Sequence, residues 1–332
     1  MEYNNQLRWG VLSTAKIARQ KVIPAMQQGR YSKVVAIASR SRDRAAEAAE
    51  SLDIPKAAGS YERLLAMPEI DAIYNPLPNH LHIPWTINAL EAGKHVLCEK
   101  PIGLSVDEAR GLLDETEKYP DLKVMEAFMY RHHPRWIKAR ELIAEGVLGK
   151  VQSIHSFFSY YNDDPDNIRN KPDIGGGGLM DIGCYCISVP RFLLDEEPLK
   201  VMGSLDIDPK LQVDRRASAV MEFKSATATF TCATQLAPHQ KVTIVGTEAT
   251  MEIPMPFNAP TDKTTSLLLQ TEAESREITF EACNQYTAQG DLFSKAVLDN
   301  TQVPTPLTDA LANLQVLEAI KQSSQHRQWV NC

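Results

Sequence analysis

Short apolar runs alternate with helix-length segments through the first third of the chain. Residues 8–12 predict a strand, 15–28 a helix closed by Gly29, and 33–38 a second strand rich in Val and Ile. The alanine-rich stretch 42–52 predicts a helix, 70–75 a third strand, and 83–92 a helix ended by Gly93. Residues 95–98 and 123–126 supply a fourth and a fifth strand. Strands spaced by helix-length segments imply βαβ units and a parallel sheet. Right-handed crossovers then make a doubly wound, Rossmann-like domain.

The pattern changes after Gly149. Residues 151–161, 200–207, 213–223 and 226–234 are β-rich with short turns between some of them. In the last of these, Thr227, Thr229 and Thr231 share one face and Ala228, Phe230 and Cys232 the other. Hairpin-linked strands of this kind form an antiparallel sheet. One helical segment, 179–194, interrupts them, and helices near 286–298 and 308–323 close the chain. The expected class is therefore α/β. An N-terminal dinucleotide-binding domain spans 1–125, and a C-terminal α+β domain with a mostly antiparallel sheet spans 126–332.

A length of 332 residues exceeds one comfortable core, which agrees with two domains. The formal charge of −7 argues against nucleic acid or an anionic membrane as the main partner. No run of about 18 apolar residues could span a bilayer. The polar stretch before Gly10 lacks a secretion signal, so the expected location is cytoplasmic. Six dispersed cysteines fit a reduced, mostly buried set. Cys184-x-Cys186 lacks a second ligand pair at zinc spacing, and no metal is expected.

Three segments carry candidate chemistry. Cys98-Glu99-Lys100-Pro101 follows the fourth strand and sits at a carboxyl end, where open parallel sheets bind ligands. Lys100 there can hydrogen-bond a hydroxyl and ease proton movement. At the first strand–helix turn the fingerprint G-x-G-x-x-G/A reads Ser13, Ala15, Ala18. Small residues and free helix-start amides, with Ser13 and Thr14 hydroxyls, suit a pyrophosphate; a tight turn with no ligand fits equally well. The second strand ends in Ser39 and Arg40, with Arg44 one turn on, where an acid would select a ribose 2′-hydroxyl. A guanidinium suits a 2′-phosphate, which favours NADP over NAD. A solvated basic helix start is the alternative. Further on, four glycines, Gly175 to Gly178, precede Asp181 and Tyr185. Their i, i+4 spacing puts a carboxylate and a phenol on one helix face. That pair suits carbonyl–alcohol chemistry, and an ammonium such as Lys100 would lower the phenol's pKa from about 10. A glycine hinge with a helix-start aspartate and a core tyrosine is the plainer reading.

These motifs resemble the Gfo/Idh/MocA oxidoreductases. The matching pieces run from Trp9 to Ala18, through Ala38-Ser39-Arg40-Ser41, Asp71 to Tyr74, Pro78-Asn79-His80-Leu81-His82, Ala92 to Pro101, Met125-Glu126-Ala127 and Gly175 to Tyr185. Their order and spacing cover nearly the whole chain. They are similar to the branch with glucose–fructose oxidoreductase, dimeric dihydrodiol dehydrogenase and sugar-nucleotide 3-ketoreductases.

The resemblance implies roles. Lys100 would be the central catalytic lysine, Tyr185 the proton donor or acceptor, and Asp181 the group that orients sugar hydroxyls. Ser13, Thr14, Ala15, Lys16 and Ile17 would surround the pyrophosphate. Leu77, Pro78, Asn79 and His82 would line the cofactor cleft, and Glu99 would help seat the nicotinamide ribose. Ser13 departs from the glycine usual in relatives. Arg131 and Arg169 are candidate substrate contacts, with a surface ion pair as the alternative for each. Phe157, Phe158, Tyr160 and Tyr161 alternate along a strand and read as sheet packing. The resemblance further implies a large, open second-domain sheet that pairs copies face to face in dimers or tetramers.

The expected activity is hydride transfer between NADP and a carbinol or carbonyl carbon of a sugar or polyol. A trans-dihydrodiol dehydrogenase and a nucleotide-sugar ketoreductase are the enzymatic alternatives. A catalytically silent NADP-binding regulator is the alternative outside catalysis.

Overall fold

A computed structural model describes residues 6–332. The chain divides into two compact units. The first holds residues up to Met129 together with Gln285–Leu311; the second holds Tyr130–Asn284 and Ala312–Cys332.

The first unit is built on β1 (Leu7–Leu12), β2 (Ser32–Ala38), β3 (Lys56–Ala58), β4 (Ala72–Asn75), β5 (His95–Cys98) and β6 (Val124–Glu126). They form one six-stranded sheet in the order β3-β2-β1-β4-β5-β6. Every pair in it is parallel. This is the strand order of a dinucleotide-binding domain, with the ligand crevice outside the carboxyl ends. β4 and all but one residue of β5 are buried, as strands covered on both faces must be. β3 is too short and too exposed to leave an apolar signal, and the sequence reading lacks it.

The expected first helix is irregular. Ala18–Val22 winds as a π-helix before α-helical Ile23–Gln27. Pro24 has no N–H to continue the ladder, and a wide turn ahead of it absorbs the missing bond. Helix Arg42–Ser51 is capped by Ser41, whose side chain accepts from the Arg44 amide.

Helix Gln285–Leu298 belongs to this first unit, although a sequential division assigns it to 126–332. Its residues seal the sheet's first strand. The Trp9 indole donates to Ser294 Oγ at 3.0 Å, and the Trp9 ring lies 5.3 Å from that of Phe293. Asp291 accepts from the Arg30 and Tyr31 amides at 2.8 and 2.9 Å. Trp9 is fully buried. Removing on the order of 200 Å² of indole surface from water is worth about 5 kcal/mol, an upper bound for this contact.

The second unit contains β7 (Val151–Tyr161), β8 (Lys200–Ile207), β9 (Asp214–Glu222), β10 (Thr227–Ala233), β11 (Gln235–Gly246), β12 (Ala249–Pro254), β13 (Thr265–Thr271), β14 (Ser275–Phe280) and β15 (Val330–Asn331). They make a nine-stranded sheet, β14-β13-β12-β11-β7-β10-β9-β8-β15. Only the β7–β10 pair is parallel among the described residues. Ala228, Phe230 and Cys232 are buried on its inner face, as the alternation predicts.

The segment Leu179–Leu194 packs on that inner face, again with a π-helical first part, Leu179–Gly183, followed by α-helical Cys184–Leu194. The outer face is open. His155, Phe157, Thr229, Thr231, His239 and Lys241 are among the residues lining a depression of about 620 Å³ there. No helix among the described residues is long and apolar enough to cross a membrane.

Candidate active site

All six strands of the first unit run parallel, so the segments that follow β1, β2, β4 and β5 leave from one edge. Ser13 comes first, with φ of +74°. A left-handed backbone costs an L-residue roughly 1–2 kcal/mol, which is why glycine usually stands at such a turn. Ser13 offsets part of this by accepting the Ala15 amide on its own Oγ at 3.2 Å. Thr14, Ala15 and Ile17 are half-buried around the helix start, and Lys16 is exposed.

At the end of β2, Ser39 is buried and its Oγ accepts from the Ser41 amide at 3.3 Å. Arg40 and Arg44 are exposed. The Arg40 charge reaches the Tyr61 phenol, whose pKa burial raises and Arg40 partly restores. No carboxylate occupies residues 39–42. Helix-start amides at one turn and an exposed guanidinium at the next fit a dinucleotide carrying a 2′-phosphate.

Beyond β4 the chain is tied down by side chains. Asn75 Oδ1 accepts from the Leu77 amide at 3.3 Å, and Asn75 Nδ2 donates to the His82 carbonyl at 3.0 Å. His82 does more than line a cleft. Its fully buried ring lies 2.7 Å from the Pro101 carbonyl through Nδ1 and 2.7 Å from the Leu77 carbonyl through Nε2. The neutral ring has one N–H and donates to one of these two carbonyls, while it packs between the Leu77-Pro78-Asn79 and Glu99-Lys100-Pro101 turns. Burial pushes the imidazole down to about 4 against the pull of these two oxygens. Pro78 and Asn79 are half-buried beside it.

Glu99 and Lys100 follow β5, both half-buried. The Tyr74 phenol donates to Glu99 Oε1 at 2.7 Å. Burial first, then the Glu99 charge, drives the Tyr74 pKa far above its usual value, so it stays a donor. Tyr286 is raised for the same two reasons. Glu126 Oε1 accepts the Ile102 amide at 2.7 Å and closes the turn from below. Cys98, with a buried thiol pushed well upward, is inert.

The second unit gathers a separate cluster. Gly177 has φ of +111°, and a Cβ on it would sit 2.1 Å from Asp214 Oδ1. A Cβ on Gly176 would meet the Arg169 and Lys171 carbonyls at 2.7 and 2.6 Å. The glycines are thus a packed turn against Arg169 and Asp214 rather than a loose hinge. From that turn Asp181 projects half-buried. The Tyr160 phenol donates to its Oδ2 at 2.6 Å, and Arg169 Nε pairs with its Oδ1 at 3.0 Å. Burial and the Asp181 charge push the Tyr160 phenol strongly up, and Asp181 holds the Arg169 guanidinium in its charged form.

Tyr185 is 6% exposed, with Tyr130, Phe158 and Phe257 rings at 5.9, 5.8 and 5.2 Å. Its phenol is close enough to add to the field on Arg169. Arg131 is placed differently. It is buried, donates to Ser188 Oγ at 3.1 and 2.6 Å, and lies over the Phe192 ring at 5.3 Å.

Sequence reasoning missed two partners here. Tyr160 was read as packing, yet it shares strand parity with buried Ile154 and Phe158, which puts it on the face that meets Asp181. Tyr74 left no signal beyond lying at the end of a buried strand.

A family profile described as an oxidoreductase family with an NAD-binding Rossmann fold matches residues 7–128, and a GFO/IDH/MocA C-terminal domain matches residues 136–252. The chain belongs to the Gfo/Idh/MocA family. It is an NAD(P)-binding oxidoreductase, as its sequence suggested. It is 36% identical to a D-xylose 1-dehydrogenase (NADP+) of Haloferax volcanii over 96% of this chain and 98% of the relative. Its structure matches a 3-ketoreductase of Actinomadura kijaniata solved with NADP and TDP-benzene, with TM-score 0.89, 28% identity and coverage of 96% and 98%. An aldose–aldose oxidoreductase of Caulobacter crescentus solved with glycerol matches with TM-score 0.91, 25% identity and coverage of 98% and 100%.

Proposed function

We propose that this oxidoreductase is an NADP-dependent dehydrogenase or reductase acting on a CH–OH or keto carbon of a sugar or polyol. The observation that carries the reading is the Asp181 carboxylate held by Tyr160 and Arg169 on the turn that leads to Tyr185. A carboxylate oxygen can accept more than one hydrogen bond, which suits Asp181 to substrate hydroxyls. Ser13 to Ile17 would hold the pyrophosphate, Ser39, Arg40 and Arg44 the 2′-phosphate, and Glu99, Leu77, Pro78, Asn79 and His82 the nicotinamide side. A nicotinamide bound there supplies the hydride donor or acceptor. Lys100 Nζ would hold the reacting oxygen, and the Tyr185 phenol would give or take its proton. Asp181 would orient a neighbouring hydroxyl, and Arg169 would set that carboxylate. Arg131, committed to Ser188 and Phe192, would shape the pocket from behind.

The similarity to a D-xylose dehydrogenase and to an aldose–aldose oxidoreductase supports a polyhydroxylated substrate. The aromatic rings around Tyr185 favour, as a second reading, a ring substrate such as a trans-dihydrodiol. The chain would work in the cytoplasm as a homodimer or homotetramer paired through its open sheet face, and sedimentation at two or four times the chain mass tests this. The deciding experiment is a panel of aldoses, ketoses, anhydrosugars, nucleotide sugars and diols with NADP+, followed by NADPH absorbance. Turnover of an aldose or polyol supports the reading; turnover of diols alone selects the second one. Tight NADPH binding with no turnover on any panel member contradicts both and favours a regulator.

A further inference from the structure

Asp214 opens β9 and is 6% exposed. Its Oδ2 accepts from the Leu179 amide at 2.6 Å. Its Oδ1 faces Gly177 so closely that no side chain fits between them. Burial raises the carboxyl to about 6, while the Leu179 amide and the Lys321 charge favour its ionised form. Lys321 comes from helix Leu307–His326, and burial lowers its own pKa while Asp214 and Glu318 hold it up. A buried acid beside this turn is costly unless it holds something in place.

What it holds is the segment that carries the substrate-side groups. The Gly177 amide donates to the Arg169 carbonyl at 2.8 Å, and the Asp181 amide donates to the Gly177 carbonyl at 3.0 Å. Asp214 therefore packs against the one residue whose backbone joins both members of the Arg169–Asp181 pair. It also grips Leu179, the first residue of the π-helical turn that leads into Tyr185. We propose that Asp214 is a positioning residue: its carboxylate fixes the 176–179 turn so that Arg169, Asp181 and Tyr185 hold one arrangement. This deepens the functional reading above and rests on it.

The test uses the intact chain with D-xylose and NADP+, comparing D214A, D214N and Y185F, with amide hydrogen exchange of residues 175–185 and NADPH titration alongside. Loss of a hydrogen bond from a charged acceptor predicts that D214A lowers kcat by about tenfold to a hundredfold and speeds Leu179 exchange by about tenfold or more. NADPH affinity should stay within about twofold. D214N keeps an acceptor oxygen and should restore kcat and slow exchange to within about threefold. A D214A enzyme with parent-like kcat, or a folded D214N enzyme as impaired as D214A, overturns the proposal. If D214A does not fold, D214N carries the test alone: parent-like kcat with a slow Leu179 amide supports it, and a tenfold loss overturns it. A parent-like Y185F, or a parent enzyme silent on every aldose and polyol of the panel, counts against the functional reading instead. Exchange at Leu179 then decides for Asp214: faster in D214A supports the hold, unchanged refutes it.

Discussion

Replacing Tyr160 by Phe removes one oxygen and leaves the ring. Tyr160 donates to Asp181 Oδ2 at 2.6 Å, and Arg169 Nε pairs with Oδ1 at 3.0 Å. The two contacts are unequal in value. The Arg169 side chain is 44% exposed, so solvent screens its pairing to about 1 kcal/mol or less. A hydrogen bond from a half-buried phenol to a carboxylate is worth about 1.5–3 kcal/mol. Of these two contacts, Tyr160 contributes more to the orientation of Asp181. Spending that energy in the transition state makes kcat/KM fall by about tenfold to a hundredfold in Tyr160→Phe, with R169Q less impaired. The assay is NADPH formation at varied D-xylose and saturating NADP+, with NADPH titration as the control. NADPH affinity should not move, because Tyr160 belongs to the second unit. A kcat/KM within twofold of the parent would refute the assignment of Asp181 to substrate orientation.

Three further outcomes follow from other parts of the chain. Arg40→Ala should weaken NADPH binding by about tenfold or more and leave NADH binding unchanged, since one charge-assisted contact to a phosphate is lost; fluorescence titration reads both, and a parent that binds the two equally contradicts the argument. Ser13→Val should lose at least about 2 kcal/mol of stability, because a β-branched residue tolerates positive φ poorly, whereas Ser13→Gly should stay within about 1 kcal/mol; urea unfolding distinguishes them. Asp214 binds its proton more tightly when folded, at about 6 against about 3.9 for a free aspartate, so its contribution to stability falls as pH rises through that window. The loss is at most about 3 kcal/mol, and D214N should gain on the parent by up to that amount between about pH 4 and 7 in unfolding titrations; a constant difference would place the carboxyl's pKa near its ordinary value.

Much of the first unit was legible because its strands other than β3 are compact apolar runs between helix-length segments. Lys100 could be placed because β5 is buried and stops at Cys98, leaving Glu99 and Lys100 at the carboxyl edge. The second sheet was harder to read. β11 carries Pro238, His239, Gln240 and Lys241 in a row, and β14 is mostly exposed, so neither shows apolar alternation. The return of Gln285–Leu298 to the first unit depends on contacts such as Trp9 to Ser294, almost the full chain apart, which no local pattern encodes. The same holds for Tyr160 and Asp214. Each is ordinary along its own strand and acquires its role only from the turn that the tertiary fold lays against it. Arg131 and Arg169 looked alike in sequence, and burial separated them: one lies in an aromatic core and the other pairs with Asp181.

The most direct test of the account is turnover by Lys100→Met, Tyr185→Phe and the double variant, each with NADPH affinity measured beside it. General acid–base groups that serve one proton transfer predict losses of about 10²- to 10⁴-fold in each single variant, a double variant little worse than the poorer single, and NADPH binding retained by Tyr185→Phe. Parent-like turnover in either single variant, or losses that simply multiply in the double, would contradict a shared role for the ammonium and the phenol.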